Sequence, residues 1–386
     1  MRPDLILQED GFCLEFRTIS GVPPAGAGGS FPKRDIPRLA ESIQPPAGAE
    51  GFLQRGKPNP LAEFPQMASV IVGDDGYVLQ ERIIVPPHMV GQANNYSANT
   101  IAPLRCNKPL IFIGSSDLPV QYASIMVRPK KGKSKVEKSE AAIKVTAEGI
   151  NLLYSAPIFS TKADGHSFVT AFNKISEVLQ NFSMRESSIA RTWIFMNNVL
   201  KDYEILNTAR EQYFAKWYGA TNHFMPASTG IQGQMIDKEA LAIEFCAFSG
   251  GNITIKQISS PLQNEPTDYR KLFSRAVAVG FPNSKLILIS GTAAIDKAGS
   301  SVYIGNFESQ MAFALEIVSA ILSQENGSFS NVAQAIVYLK RSEDMGSCLR
   351  ILDEHGFSCD KVLFQLDVDV CREDLLCEIE VTAVIT

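Results

Sequence analysis

The sequence contains no cysteine pair spaced as CxxC, no HxH or HExxH, and no GxSxG; its four histidines stand apart at 88, 166, 223 and 355. These absences remove the usual zinc templates and the serine-hydrolase elbow. Seven cysteines, at 13, 106, 246, 348, 359, 371 and 377, are odd in number and suggest no disulfide framework. No run of about 18 apolar residues occurs, so no membrane span is expected. No charged region followed by an apolar stretch opens the chain, so no secretory signal is expected and a cytoplasmic setting is the default. Excess charge is lacking as well. The formal net charge of −5 gives no nucleic-acid footprint. One dense basic stretch, Arg128, Lys130, Lys131, Lys133, Lys135 and Lys138, is interrupted by Pro129, Gly132 and Ser134 and reads as a solvated hairpin loop.

What is present is ordinary folded material, 45% hydrophobic and 20% charged over 386 residues. That length suits two domains plus an appendage and can bury a large core without crosslinks. Residues 1–65 hold two clusters of breakers, Pro23-Pro24-Ala25-Gly26-Ala27-Gly28-Gly29 and Pro45-Pro46-Ala47-Gly48, and read as an irregular arm. Ala68-Ser69-Val70-Ile71-Val72 reads as the first strand of the body.

An internal repeat organises the rest. Phe168, Phe172, Ile175, Val178 and Leu179 recur at helical spacing, and Met311, Leu315, Val318, Ile321 and Leu322 repeat that spacing downstream. At one shared offset after each come apolar strands, 188–196 and 331–339, rich in β-branched and aromatic residues. Further helices near 203–217 and 343–356 follow, and each half closes on a strand, 241–248 and 375–385. Upstream, 110–114 resembles 286–291. The order strands, helix, strand, helix, strand suits a mixed sheet with its helices on one face. The expected fold class is α+β: an arm over 1–65, a first domain over 66–250 and a second over 251–386.

Leu272-Phe273-Ser274-Arg275-Ala276-Val277, Leu288-Ile289-Ser290-Gly291-Thr292-Ala293 and Asp374-Leu375-Leu376-Cys377-Glu378-Ile379-Glu380 resemble the RidA (YjgF) superfamily. Ala190-Arg191-Thr192-Trp193, Tyr203 with Ala209-Arg210, Pro226-Ala227-Ser228-Thr229-Gly230-Ile231 and Cys371-Arg372-Glu373 resemble its two-domain branch, the chorismatases. The resemblance covers roughly 100–386. It implies two RidA-like domains side by side, an active site largely in the second, no metal or organic cofactor, and chorismate as small-molecule substrate. No nucleic-acid or membrane partner is expected, and the chain is expected to be a monomer or small homo-oligomer.

Chorismate carries two carboxylates and an enolpyruvyl ether. Cleaving that ether needs a proton on the terminal methylene carbon, hence a carboxylic acid kept neutral by burial. Glu378 holds the matching family position. Glu380 is its rival, since alternation puts both on one strand face. Aligning Leu241-Ala242-Ile243-Glu244 with Cys377-Glu378-Ile379-Glu380 sets Ala242 against Glu378 and Glu244 against Glu380. The acid found in one half only is the catalytic candidate. The resemblance assigns Arg210 and Arg275 to the two carboxylates, a task that suits the planar guanidinium fork. Tyr203 lies two helical turns before Arg210, Arg191 flanks Trp193 in a buried strand, and both are weaker binding candidates. Gly291, with its neighbour Thr292, and Cys371 match the subgroup forming 3-hydroxybenzoate, where glycine frees room for the ring and a thiol can act on a ring hydroxyl; a subgroup that also forms 4-hydroxybenzoate stays open. Other readings are a diol-forming chorismatase, a RidA-like imine deaminase, and a non-catalytic ligand-binding protein.

Overall fold

The computed structural model describes residues 5–9, 11–19, 76–91, 93, 109–116, 118, 120–218, 224–236 and 238–386. The strand expected at 68–72 and His223 fall outside them. The described strands form three sheets.

The third sheet is the simplest to build from sequence. It comprises β13 (Thr254–Ile258), β14 (Ala276–Gly280), β15 (Lys285–Thr292), β16 (Val332–Leu339), β17 (Val362–Leu366) and β18 (Cys377–Ile385), in the order β13-β14-β15-β18-β16-β17. The helices α3 (Phe307–Ser323) and α4 (Met345–Glu354) connect its later strands. Asn306 caps α3 by accepting a bond from the Ser309 amide, which satisfies a donor the helix cannot. The α3 stripe Met311, Leu315, Val318, Ile321 and Leu322 is buried against one face of the sheet, with Ile379, Val381 and Ala383 of β18.

The second sheet repeats this plan. It contains β6 (Ser134–Lys138), β7 (Ala142–Ala147), β8 (Ile150–Ser155), β9 (Ile158–Ser160), β10 (Ile189–Met196), β11 (Ala227–Gln232) and β12 (Leu241–Ser249). Its order is β11-β10-β12-β8-β7-β6, with α1 (Gly165–Asn181) and α2 (Val199–Tyr218) packed on one face. In both sheets a parallel pair, β10/β11 or β16/β17, lies beside an antiparallel one, β10/β12 or β16/β18.

The first sheet is a third, shorter version of the same plan. Its strands are β1 (Leu5–Gln8), β2 (Phe12–Ile19), β3 (Tyr77–Val85), β4 (Leu110–Ile113) and β5 (Gln121–Pro129), ordered β1-β2-β5-β3-β4. Again a parallel pair, β3/β4, adjoins an antiparallel one, β3/β5. A one-residue bulge interrupts the antiparallel pairing in all three: between Val78 and Gln80, Ile189 and Arg191, and Val332 and Gln334.

This corrects three expectations. Residues 1–65 are not wholly irregular, since 5–8 and 12–19 are strands. Phe12, Leu14 and Phe16 alternate with polar neighbours and bury in the core, a pattern the later proline and glycine clusters overshadowed. Residues 110–114 are counterparts of β11 and β17, being the parallel partner in their sheet; the counterpart of 286–291 is β8. The basic stretch is not a hairpin loop: Arg128 lies in β5, Lys135 and Lys138 lie in β6, and the turn between them passes the chain from the first sheet to the second.

The faces not covered by helices turn inward on one shared core, which takes Leu14 and Phe16 from the first sheet, Trp193 and Phe195 from the second, and Val277 and Tyr338 from the third. Alternation along β18 sends Ile379 and Val381 to the helices and Glu378 and Glu380 inward.

Candidate active site

Inward-facing carboxylates in an apolar core are costly unless partnered. Glu380 is partnered twice: Arg82 reaches one oxygen at 3.1 Å and Arg191 the other at 3.0 Å. Arg82 also bonds Glu244 at 3.0 Å, and Gln80 donates to the same Glu244 oxygen at 3.0 Å. Two guanidinium groups thus face two carboxylates drawn from all three sheets, with Arg82 and Arg191 both stacked near the Trp193 ring, at 4.8 and 5.0 Å. Arg191 additionally donates to Thr229 Oγ1 at 2.9 Å and to the Ile289 carbonyl. It belongs to this interior cluster and lines no cleft, which removes it from the binding candidates. Thr292 is likewise withdrawn: it is buried, and its hydroxyl donates to the Ser290 carbonyl at 2.9 Å.

Glu378, two residues before Glu380, has no hydrogen bond or ion pair among the described residues. Only 4% of its surface is exposed. Burial pushes its carboxyl up to about 8, with the Glu380 charge adding to the rise and Arg191 and Arg275 opposing it. The pairing register sets the two acids in different positions of the repeat. Glu380 lies opposite Ile336 as Glu244 lies opposite Trp193, while Glu378 faces Tyr338 where Ala242 faces Phe195. The shared acid is bound up in the interior cluster. The unshared one opens on a cleft.

That cleft lies where β11 of the second sheet meets β15 of the third, with about 670 Å³ of space between atoms, part of it open to solvent. Glu378, Cys371, Arg210, Arg275, Tyr203 and Gly291 all line it. Six of the eight expected site residues therefore converge from α2, β15, β18 and the loops before β14 and β18. Arg210 donates to Ser228 Oγ at 2.5 Å, while its Nε finds no partner. Arg275 donates from Nε to the Asn264 carbonyl and from its other arm to the Tyr269 hydroxyl, both at 3.0 Å. Neither arginine meets a carboxylate among the described residues, although both are buried. A buried cation without a counterion is uncompensated, and an anion entering the cleft would compensate it.

Local backbone sets the remaining geometry. A Cβ at position 291 would collide with the Glu378 carboxyl, so glycine there gives the acid its seat. The Gly291 amide donates to Thr229 Oγ1 at 3.1 Å, and the Ser228 amide donates to Ser290 Oγ at 2.8 Å, which stitches β11 to β15 beneath the cleft. Cys371 is half-buried, and burial with the Glu378 carboxyl nearby pushes its thiol up to about 12, so it is a neutral S–H. Burial raises the Tyr203 phenol too.

The sequence reading missed several lining residues: Ser228, Tyr269, Lys271, Phe273 and Arg372. Phe273 and Arg372 stood inside motifs already quoted and could have been promoted from there. Tyr269 and Lys271 come from a loop around the short 3-10 turn Pro266–Tyr269, which has no periodicity to read.

Comparison with known proteins fits this geometry. Residues 264–385 match the family described as Endoribonuclease L-PSP, the RidA-type domain. A 3-hydroxybenzoate synthase of Streptomyces hygroscopicus is 28% identical over 244 residues, 57% of this chain and 68% of that one. A chorismatase crystal structure aligns at a TM-score of 0.62 and 20% identity, covering 81% of this chain and 94% of that one. The chain has the chorismatase fold. Within that fold, the RidA-type segment carries Glu378, Cys371, Arg275 and Gly291, while Tyr203 and Arg210 come from outside it, so the cleft needs both repeats. No described helix is long and apolar enough to cross a membrane, and no cluster of metal-ligating side chains occurs among the described residues.

Proposed function

We propose that this protein converts chorismate to pyruvate and 3-hydroxybenzoate, with Glu378 as the general acid. The observation that carries the reading is a neutral, unpartnered carboxyl beside two buried guanidinium groups that lack carboxylate partners. Arg210 and Arg275 take one substrate carboxylate each. Glu378 gives its proton to the enolpyruvyl methylene carbon, and its carboxylate then faces the oxocarbenium ion so formed. Water adds to that cation and returns a proton to Glu378. The hemiketal collapses to pyruvate and a ring alcohol that keeps the ether oxygen. Loss of the neighbouring ring hydroxyl as water, together with the proton on the carbon that bears the ether oxygen, makes the ring aromatic. One water is added and one lost. In this reading the neutral Cys371 thiol, which lines the cleft, donates toward the departing hydroxyl.

The test is incubation with chorismate in EDTA, following pyruvate and ring absorbance together. Pyruvate with 3-hydroxybenzoate is expected. Pyruvate without an aromatic product would assign the diol-forming reaction, and 4-hydroxybenzoate alongside would assign a mixed one. No pyruvate, with ammonia released from an imino acid, would replace this reading with a deaminase. In Cys371→Ala combined with Gly291→Ala, product shifts toward the diol, and turnover drops because the new methyl group displaces the Glu378 carboxyl.

A further inference from the structure

Four cations line the cleft: Arg210, Arg275, Arg372 and Lys271. Arg372 is held by the Gly299 carbonyl at 2.9 Å and has no carboxylate partner among the described residues. Lys271 differs from the three arginines. Its Nζ lies 2.6 Å from Glu204 Oε1, and it sits 5.4 Å from the Tyr203 ring centre. Glu204 stands on α2, which packs on the second sheet, and Lys271 on the loop that leads into the third. The pair therefore crosses the mouth of the cleft from one repeat to the other. Its two ends are unequal: the Lys271 side chain is 20% exposed and that of Glu204 77%. The Lys271 backbone is anchored, with its amide donating to the Pro266 carbonyl at 2.9 Å after the left-handed Arg270. Glu204 is the one carboxyl besides Glu378 among the described lining residues.

We infer that Lys271 is a further substrate-binding residue, held by Glu204 until the dianion enters and takes it over. The inference rests on the proposed substrate. A well-solvated carboxylate such as Glu204 gains little from its ion pair and gives up its partner readily. A substrate carboxylate inside the cleft is shielded from water and salt and attracts the ammonium more strongly. The exchange moves Lys271 inward over Tyr203, and Glu204 is left in solvent.

The experiment measures chorismate KM, and chorismate binding by calorimetry, for the full chain and for Glu204→Gln, Lys271→Met and the double variant. Glu204→Gln is expected to lower KM and Kd about two- to fivefold, the range of an exposed ion pair. Lys271→Met is expected to raise both on the order of tenfold. On the Lys271→Met background, Glu204→Gln is expected to do nothing. An equal Glu204→Gln effect on both backgrounds, or no change in Lys271→Met, overturns the exchange. Absence of pyruvate release with this affinity pattern intact overturns the proposed reaction and leaves the exchange standing.

Discussion

The seam between the second and third sheets and the seam between the third and first are built from matching strands, yet one holds a cleft and the other is shut. The position of Glu378 on β18 corresponds to Gln121 on β5, each pairing with the equivalent residue of the neighbouring strand, Tyr338 or Ile84. Gly230 on β11 corresponds in the same way to Phe364 on β17. At the shut seam the Gln121 side chain donates to the Phe364 carbonyl and accepts from the Phe364 amide, both at 2.8 Å. A side-chain amide carries both donors and an acceptor, so it can meet the C=O and the N–H of one main-chain edge together. A protonated carboxyl beside Gly230 and Tyr203 has no such edge to close on. At the third seam, between the first and second sheets, Ala242 holds the same position, and the Phe112 and Phe195 rings, 4.8 Å apart, fill the space. One fold plan thus yields an acid cleft, an amide lock and an aromatic plug, by changes at a few inward-facing positions.

The largest break in this comparison is Glu378→Gln, which makes the open seam chemically resemble the shut one. Pyruvate release falls on the order of 10⁴-fold, while chorismate binding by calorimetry stays near the wild-type value because only the transferable proton is gone. Retained turnover would move the acid role to Glu380. Next comes Arg82→Met, which removes the cation shared by Glu244 and Glu380 from the interior that all three seams enclose. Denaturant unfolding should show a loss of about 3–5 kcal/mol, the cost of a buried charge left without its partner; a loss under about 1 kcal/mol would mean the cluster is dispensable. Gln121→Glu tests the lock. A carboxylate there cannot donate to the Phe364 carbonyl, so unfolding should occur about 1–3 kcal/mol earlier, with no second active cleft gained.

The last effect is on pH dependence. In the proposed reaction Glu378 acts in its protonated form, so kcat should fall as pH rises through about 8. The folded state also holds a proton there that the unfolded chain releases near 4.5. Stability contributed at this site therefore declines as pH rises between those values and levels off above the upper one. Glu378→Gln should lack that slope; an unchanged slope would place the raised carboxyl elsewhere.

Much of this was open to sequence reading, and the particular residues show why. The stripes Phe168 to Leu179 and Met311 to Leu322 mark their helices because burial on one face imposes a period on the chain itself. Comparison of Ala242 with Glu378 and of Glu244 with Glu380 separated the two acids because the repeats share a register. The first sheet escaped notice: its halves lie far apart in the chain, and prolines and glycines between them suggested an arm. Arg191 and Arg275 look alike in sequence, each an arginine at the edge of an apolar strand. One neutralises Glu380 and the other faces the cleft, and no local signal distinguishes them.

By itself the sequence determined the α+β class, the repeat and a carboxyl at 378 that has no counterpart at 242, since periodicity and register are properties of neighbouring residues. Tertiary structure alone decided which seam stays open, that Arg82 and Arg191 pair with Glu380 in the interior, and that Lys271 meets Glu204 across the mouth. Those outcomes depend on which distant side chains come within hydrogen-bonding reach once three sheets close on one core, and local pattern carries no record of such distances.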